Sequence, residues 1–238
     1  MKQFKITVLL ILFGTITFQA QEDNETKIDQ IIQQSFEAMG GMENWNNTHY
    51  IQWNFGKRML IWDKWTGDVR IENPTEKLTL VVNINSGKGK ASKDGALVTD
   101  TEELDKILEK GKKWWINDSY WLTMPWKLKD DGVKITYLKT ESLPNGNLAD
   151  VLEMTFENVG VTPNNKYHIY FDQKDHLVKQ WAFFGNYKDE EPRFIRAWDN
   201  YQKAGNVLLS FNRSGDKRGN PTNVIVKDEI ASDIFTKL

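Results

Sequence analysis

The chain has 238 residues, with 31 Lys and Arg against 33 Asp and Glu, no cysteine, three histidines and ten tryptophans. A near-neutral balance with bases scattered among acids excludes nucleic acid as a partner, because that binding rests on clustered Lys and Arg neutralising phosphates. The lack of cysteine excludes a disulfide framework, thiolate chemistry and a lipidated cysteine, and the length fits one sizeable β-rich domain.

Lys2 and Lys5 make a short basic start, Val8 to Phe13 form an apolar run, and Thr17 to Ala20 offers small residues to a signal peptidase. This is the pattern of a secretory leader, cleaved near Ala20. The apolar run is far shorter than the ~20 residues of a membrane-spanning helix. The expectation is a signal peptide over 1–20 and a single exported domain over 21–238, periplasmic or secreted, with no stable membrane span.

Ile28, Ile31, Ile32, Phe36 and Met39 recur at helical spacing, and Gly40-Gly41 follows where a helix stops in a left-handed cap. From Thr48 the period changes to two: Ile51, Trp53 and Phe55 share one strand face, Gly56-Lys57 turns, and Leu60-Ile61-Trp62 runs to Asp63. Thr66-Gly67-Asp68 leads into Val69-Arg70-Ile71, Pro74 interrupts, and Leu78, Leu80, Val82 and Ile84 alternate up to Ser86-Gly87. A short strand and the hairpin signal Asp94-Gly95 complete a first β-meander.

Thr101-Glu102-Glu103 reads as a helix start, and Leu104, Ile107 and Leu108 carry the helix toward Lys110-Gly111-Lys112-Lys113, where cations complement the dipole of a helix end. Trp114 to Leu128 shows no strand period and holds too many rings for a solvated loop, so it is expected to cap the sheet or plug its mouth. Strands resume with Val133, Ile135 and Tyr137, then Leu152, Met154 and Phe156. Tyr167, Ile169 and Phe171 pair with Leu177, Trp181 and Phe183, and further strands lie at Phe194 to Tyr201, Val207 to Phe211 and Val224 to Val226, with a turn at Gly215 to Pro221. Ten or eleven antiparallel strands with two helical segments predict a mainly β, α+β fold. Its form is a strongly curved antiparallel sheet or half-open β-barrel, with the N-terminal helix and the helical insertion packed on the concave face.

The order of an N-terminal amphipathic helix, a first meander, a helical insertion and a return of long strands resembles the LolA/LolB-like periplasmic lipoprotein-carrier fold. Val69-Arg70-Ile71 before Pro74, then an alternating strand and Asp94-Gly95 before the insertion, carry the likeness. The resemblance implies a cavity that cradles acyl chains under a helical lid, and no catalysis. Gly40-Gly41 with Trp45, Trp53-Asn54-Phe55-Gly56, Trp62-Asp63-Lys64, Tyr120-Trp121-Leu122, Pro125-Trp126-Lys127-Leu128 and Asp172 to Lys179 before Trp181 also resemble a family of uncharacterised exported Bacteroidetes proteins, a domain of unknown function. The longer second half and Trp114 to Leu128 depart from the carriers.

Chemistry-bearing patterns are sparse. His49, His168 and His176 lack metal-ligand spacing, no Gly-x-Ser-x-Gly elbow occurs, and Gly87-Lys88-Gly89-Lys90 lacks the length and the Ser or Thr of a P-loop. No metal, cofactor or catalytic residue is assigned. Asp63 between Trp62 and Trp65 could serve a carboxylate-dependent hydrolase, or be a turn aspartate flanked by aromatics. Arg70 points into the cavity if Val69 and Ile71 face outward, and into solvent if they face inward. Trp53, Trp62, Arg70, Trp115, Tyr120, Trp121, Trp126 and Trp181 are the candidate ligand-binding residues, with core packing as the competing reading of the tryptophans.

The function that follows is a monomeric, non-enzymatic binder or carrier of an acyl chain, lipid or other hydrophobic small molecule, with an envelope lipoprotein as a further partner. A glycan or lipid hydrolase and an envelope protein-interaction module with a filled aromatic core are the alternatives.

Overall fold

Residues 24–157, 160–213 and 219–238 are described by a computed structural model of the chain. The leader at 1–20 and most of the turn read at Gly215 to Pro221 lie outside them.

Helix α1 runs over 24–38 and buries Ile31, Ile32 and Phe36, with Met39 just beyond its end. It stops as its glycines require: Gly40 and Gly41 have φ of 113° and 86°, and Gly41 N donates to Phe36 O at 2.8 Å. Gly40 has a second reason to lack a side chain, since a Cβ there would sit 2.6 Å from the Asn206 carbonyl. A short helix α2 (Met42–Asn47), absent from the sequence reading, turns the chain and buries Trp45.

The first sheet is the expected meander: β1 (Tyr50–Phe55), β2 (Arg58–Asp63), β3 (Asp68–Asn73), β4 (Leu78–Asn83), β5 (Gly89–Lys93) and β6 (Ala96–Leu97) pair in sequence order. Ile51, Trp53 and Phe55 are buried and alternate with half-buried residues, so the period-two pattern has one core face. Pro74–Glu76 forms a 3₁₀ turn between β3 and β4.

Helix α3 (Thr101–Thr123) opens on Asp100, whose carboxylate accepts from Glu103 N at 2.8 Å. It continues through Gly111 to Thr123, so Lys110 to Lys113 do not end it, and two thirds of the stretch expected to be irregular, Trp114 to Thr123, is helical. A 3₁₀ turn follows at Met124–Lys127. Gly111 is tolerated inside the helix because α3 approaches β4 closely there: a Cβ would lie 2.6 Å from Leu80 Cδ1.

The second sheet has the spatial order β11-β10-β9-β8-β7, built from β7 (Val133–Ser142), β8 (Leu148–Phe156), β9 (Lys166–Asp172), β10 (Val178–Phe184) and β11 (Phe194–Ala197). The strand expected over Phe194 to Tyr201 is interrupted at Trp198, which is fully buried and donates its backbone N to Lys179 O at 2.8 Å. Beyond that point β12 (Asp199–Ala204) leaves the sheet and pairs only with β13 (Val207–Asn212). The last strand, β14 (Thr222–Lys227), returns to pair antiparallel with β1.

The fold is therefore α+β and mainly β, with curved antiparallel sheets that do not close into a barrel. One buried cluster runs from α1 through the first sheet, α3 and the second sheet to β13. Trp126 stacks in parallel with both Phe36 (5.8 Å, 7°) and Trp45 (5.0 Å, 7°), which fastens α1 and α2 to the 3₁₀ turn that follows α3. Among the described residues no helix is long and apolar enough to cross a membrane.

Candidate functional site

Helix α3 and the second sheet face each other across a cleft of about 290 Å³. Lys113, Ile116, Asn117, Tyr120 and Trp121 form one wall. Their spacing of three, four, seven and eight residues puts them on a single helix face. The opposite wall is a row of rings. Phe183 pairs across the strands with Tyr167 on one side and Phe194 on the other, so three neighbouring strands each present an aromatic side chain at the same level. Phe156 and Trp181 complete it, and Gly160, Val161, Thr162 and Asn165 form the rim.

Trp181 is the hub of this site. It is 2% exposed, stacks on Tyr167 (5.0 Å, 19°), meets Trp121 edge-on (4.9 Å, 67°), and also contacts Tyr120, Phe183, Phe194 and Trp198. Burial, reinforced by neighbouring Tyr167, pushes the Tyr120 hydroxyl well above the ordinary phenol range. Burial likewise raises Tyr167. Both phenols stay neutral at neutral pH, and Lys113, the remaining titratable lining residue, is ion-paired with Glu109 at 2.6 Å. The lining can sequester apolar surface and offer a few polar contacts at its rim, where Asn165 donates to Thr162 Oγ1 at 2.7 Å.

The back of the cleft is braced by Arg213, a residue that sequence reasoning missed. Its guanidinium is 1% exposed, lies 3.5 Å over the Trp198 ring, and donates to Ser210 Oγ (2.7 Å), Asn212 O (2.8 Å), Ser210 O (3.1 Å) and the Trp121 carbonyl. Burial holds its pKa below the usual arginine range, at about 9. The main-chain link to Trp121 ties β13 to the last turn of α3.

Of the eight candidate residues, the structure brings Tyr120, Trp121 and Trp181 together in the cleft. Trp53 is fully buried in the first sheet. Trp62 and Trp115 meet edge-on at 5.2 Å away from the cleft lining, and Trp126 is held in the stack with Phe36 and Trp45. Arg70 is a correction: Val69 and Ile71 take the core face, so Arg70 lies on the other side. It pairs there with Glu72 at 2.7 Å and donates to the carbonyls of Ile234 and Lys237. The ring row of Phe156, Tyr167, Phe183 and Phe194 was readable as strand residues but not as a lining, because cross-strand register is invisible in one sequence.

Asp63 occupies the turn it was weighed against. Its Oδ1 accepts from Trp65 N (2.9 Å) and Thr66 N (3.0 Å), and His49 Nε2 lies 3.3 Å away. Trp62 is buried and Trp65 is 61% exposed, so the two rings cannot clamp one sugar around this carboxylate. A second cavity of about 710 Å³ lies beside the β9–β10 turn, but it is lined by Asp172, Lys174, Asp175, Lys179, Arg196 and Asp199. Two of these charges, Lys179 and Asp175, pair with each other at 2.5 Å. Although larger, it is a poorer place to bury apolar surface than the aromatic cleft. Among the described residues no group of three or more His, Asp or Glu is arranged to hold a metal ion.

No protein-family profile and no curated protein matches this chain. Among solved structures it is similar to a DUF1329 family protein from Desulfovibrio piger, at 11% identity and a TM-score of 0.41, over 79% of this chain and 87% of that one. A likeness of that size carries no functional argument.

Proposed function

We propose that this chain is a non-enzymatic, monomeric binder or carrier of a hydrophobic ligand, acting in the periplasm or outside the cell after loss of its leader. The observation that carries the reading is the aromatic cleft between α3 and the second sheet, where Tyr120 and Trp121 face Phe156, Trp181, Phe183 and Phe194. The resemblance of the sequence to the LolA/LolB-like carriers in its order of elements supports it. The driving force is apolar burial, roughly 25 cal/mol per Å² removed from water. At about 290 Å³ the cleft falls just short of the ~300–1,000 Å³ usual for ligand pockets. Its occupant is therefore a single ring or a short acyl segment, with the remainder of a larger lipid or lipoprotein left outside.

The test is native mass spectrometry of the exported protein, followed by solvent extraction and titration with a fluorescent fatty acid. A bound species of defined mass, or saturable uptake lost in Trp181→Ala and Trp121→Ala, supports the reading. A clean mass with no uptake by a folded protein removes it. That result favours the interaction module with a filled aromatic core, a reading supported by the packing of Trp53, Trp126 and Trp198 at 0%, 3% and 0% exposure.

A further inference from the structure

Away from the cleft, the turn between β2 and β3 builds a second aromatic surface, and its geometry is that of a fixed platform. Trp65 is 61% exposed, yet its ring is not free to swing. Its Nε1 donates to Asn46 O at 3.1 Å and its backbone N to Asp63 Oδ1 at 2.9 Å. One face of the indole lies on His49 at 3.7 Å and 13°, and His49 lies in turn on Tyr50 at 3.7 Å and 22°. His49 is itself positioned by Asp63, at 3.3 Å. The stack ends in solvent at the outer face of Trp65.

An exposed ring held in one position loses its side-chain rotamer freedom. Here the donor atom of the indole is already engaged by a carbonyl, so what remains toward solvent is a flat π face. Asn46, whose backbone carbonyl takes the indole N–H, and its neighbour Asn47 are exposed at the end of α2, and each side-chain amide carries both a donor and an acceptor. A flat apolar face with two exposed amide residues next to its indole N–H edge matches a pyranose ring, which has one face of C–H groups and an edge of hydroxyls. It does not match a quaternary ammonium, which needs several rings around the cation. We infer that Trp65, with Asn46 and Asn47, forms a carbohydrate-binding platform that takes one sugar ring of a surface glycan. The site is separate from the hydrophobic cleft and does not depend on what the cleft holds.

Isothermal titration calorimetry of the full chain with cellohexaose, mannohexaose and chitohexaose tests this. At least one should bind weakly, as befits a single platform. Trp65→Ala should lower the affinity about tenfold or more, Trp65→Phe should keep most of it, and Asn46→Ala with Asn47→Ala should weaken it several-fold. Trp181→Ala, in the cleft, should leave saccharide binding unchanged. Unaltered thermal unfolding of Trp65→Ala establishes that its fold is intact. Failure of all three sugars to bind, or binding that survives Trp65→Ala, overturns the inference. Vesicle partitioning that depends on Trp65 in the absence of sugar binding overturns it in favour of a membrane-contacting tryptophan.

Discussion

Arg58 and Asp118 meet through two parallel hydrogen bonds, Nε to Oδ2 at 2.7 Å and a terminal nitrogen to Oδ1 at 2.8 Å, and so fasten β2 to α3 across 60 residues of chain. The Asp118 side chain is fully buried and the Arg58 side chain 20% exposed. Burial raises the Asp118 pKa, and the bonds from Arg58 and Asn117 oppose that rise. Arg58→Ala should cost roughly 3–5 kcal/mol, because it strands a buried carboxylate. Replacing both residues by apolar side chains, Arg58→Met with Asp118→Leu, should recover most of the loss. In Arg58→Ala the carboxyl pKa climbs further, so the folded state holds a proton that the unfolded chain releases. Its stability should be nearest that of the parent at low pH and fall as pH rises through the acid range, as chemical denaturation at a series of pH values would show.

Gly111 sets the distance between α3 and the first sheet. In an exposed helix interior, Gly→Ala gains about 1 kcal/mol. Here the new Cβ would stand 2.6 Å from Leu80 Cδ1, and Leu80 is fully buried. Gly111→Ala should therefore be destabilising by about 1–3 kcal/mol, the usual penalty for overpacking. Combined with Leu80→Val, the alanine should become neutral or favourable, giving a coupling energy between the two sites in a double-mutant cycle. Additive losses would mean that α3 simply moves away.

Much of the fold was legible because its signals are local. The alternation in Ile51-Trp53-Phe55 and the Gly40-Gly41 stop depend only on neighbouring residues, and both appear as read. The errors came where long-range packing overrode a local rule. Gly111 and three flanking lysines look like a helix end, yet the close approach to Leu80 makes glycine the residue that lets the helix continue. Trp198 looks like mid-strand, yet its burial divides one apparent strand between two sheets. Tyr120, Trp121 and Trp181 could be named as aromatic candidates. That they converge, while Trp53 and Trp126 pack the core, depends on register and helix phase that only the assembled structure supplies. Arg213 gave no signal at all: a lone arginine after a strand reads as solvated.

Arg213 carries a buried charge supported by carbonyls, a hydroxyl and the Trp198 face. Arg213→Met removes four donations at once and leaves the Ser210 and Trp121 carbonyls without that donor, at a cost of about 2–4 kcal/mol. Arg213→Lys should be at least as damaging, since a compact ammonium cannot span the same acceptors or stack on the indole. The pKa of about 9 lies well below that of an ordinary arginine. In that window the unfolded chain binds the extra proton, so this group's burial penalty is relieved as pH rises from about 9. The stability difference between the parent and Arg213→Met should accordingly widen in the parent's favour above that pH. A difference that stays flat would mean the guanidinium keeps its proton throughout.

The tyrosines act in the opposite sense at the alkaline end. Burial raises the hydroxyl pKa of Tyr120, Tyr167, Tyr170 and Tyr201, and Tyr201 is further anchored by donating to Val178 O at 3.0 Å. Each is an acid whose folded pKa exceeds its unfolded value of ~10, so its contribution is complete below that pH and is lost as pH rises above it. The folded protein should show little phenolate absorbance from these four groups until it unfolds, and the ionisation and unfolding transitions should coincide. Tyr201→Phe removes one such group and one hydrogen bond. It should lower stability at neutral pH by about 1 kcal/mol, yet unfold at a higher alkaline pH relative to its own neutral stability. Phenolate absorbance that rises fully before the near-ultraviolet dichroism is lost would show that these hydroxyls reach solvent in the folded state.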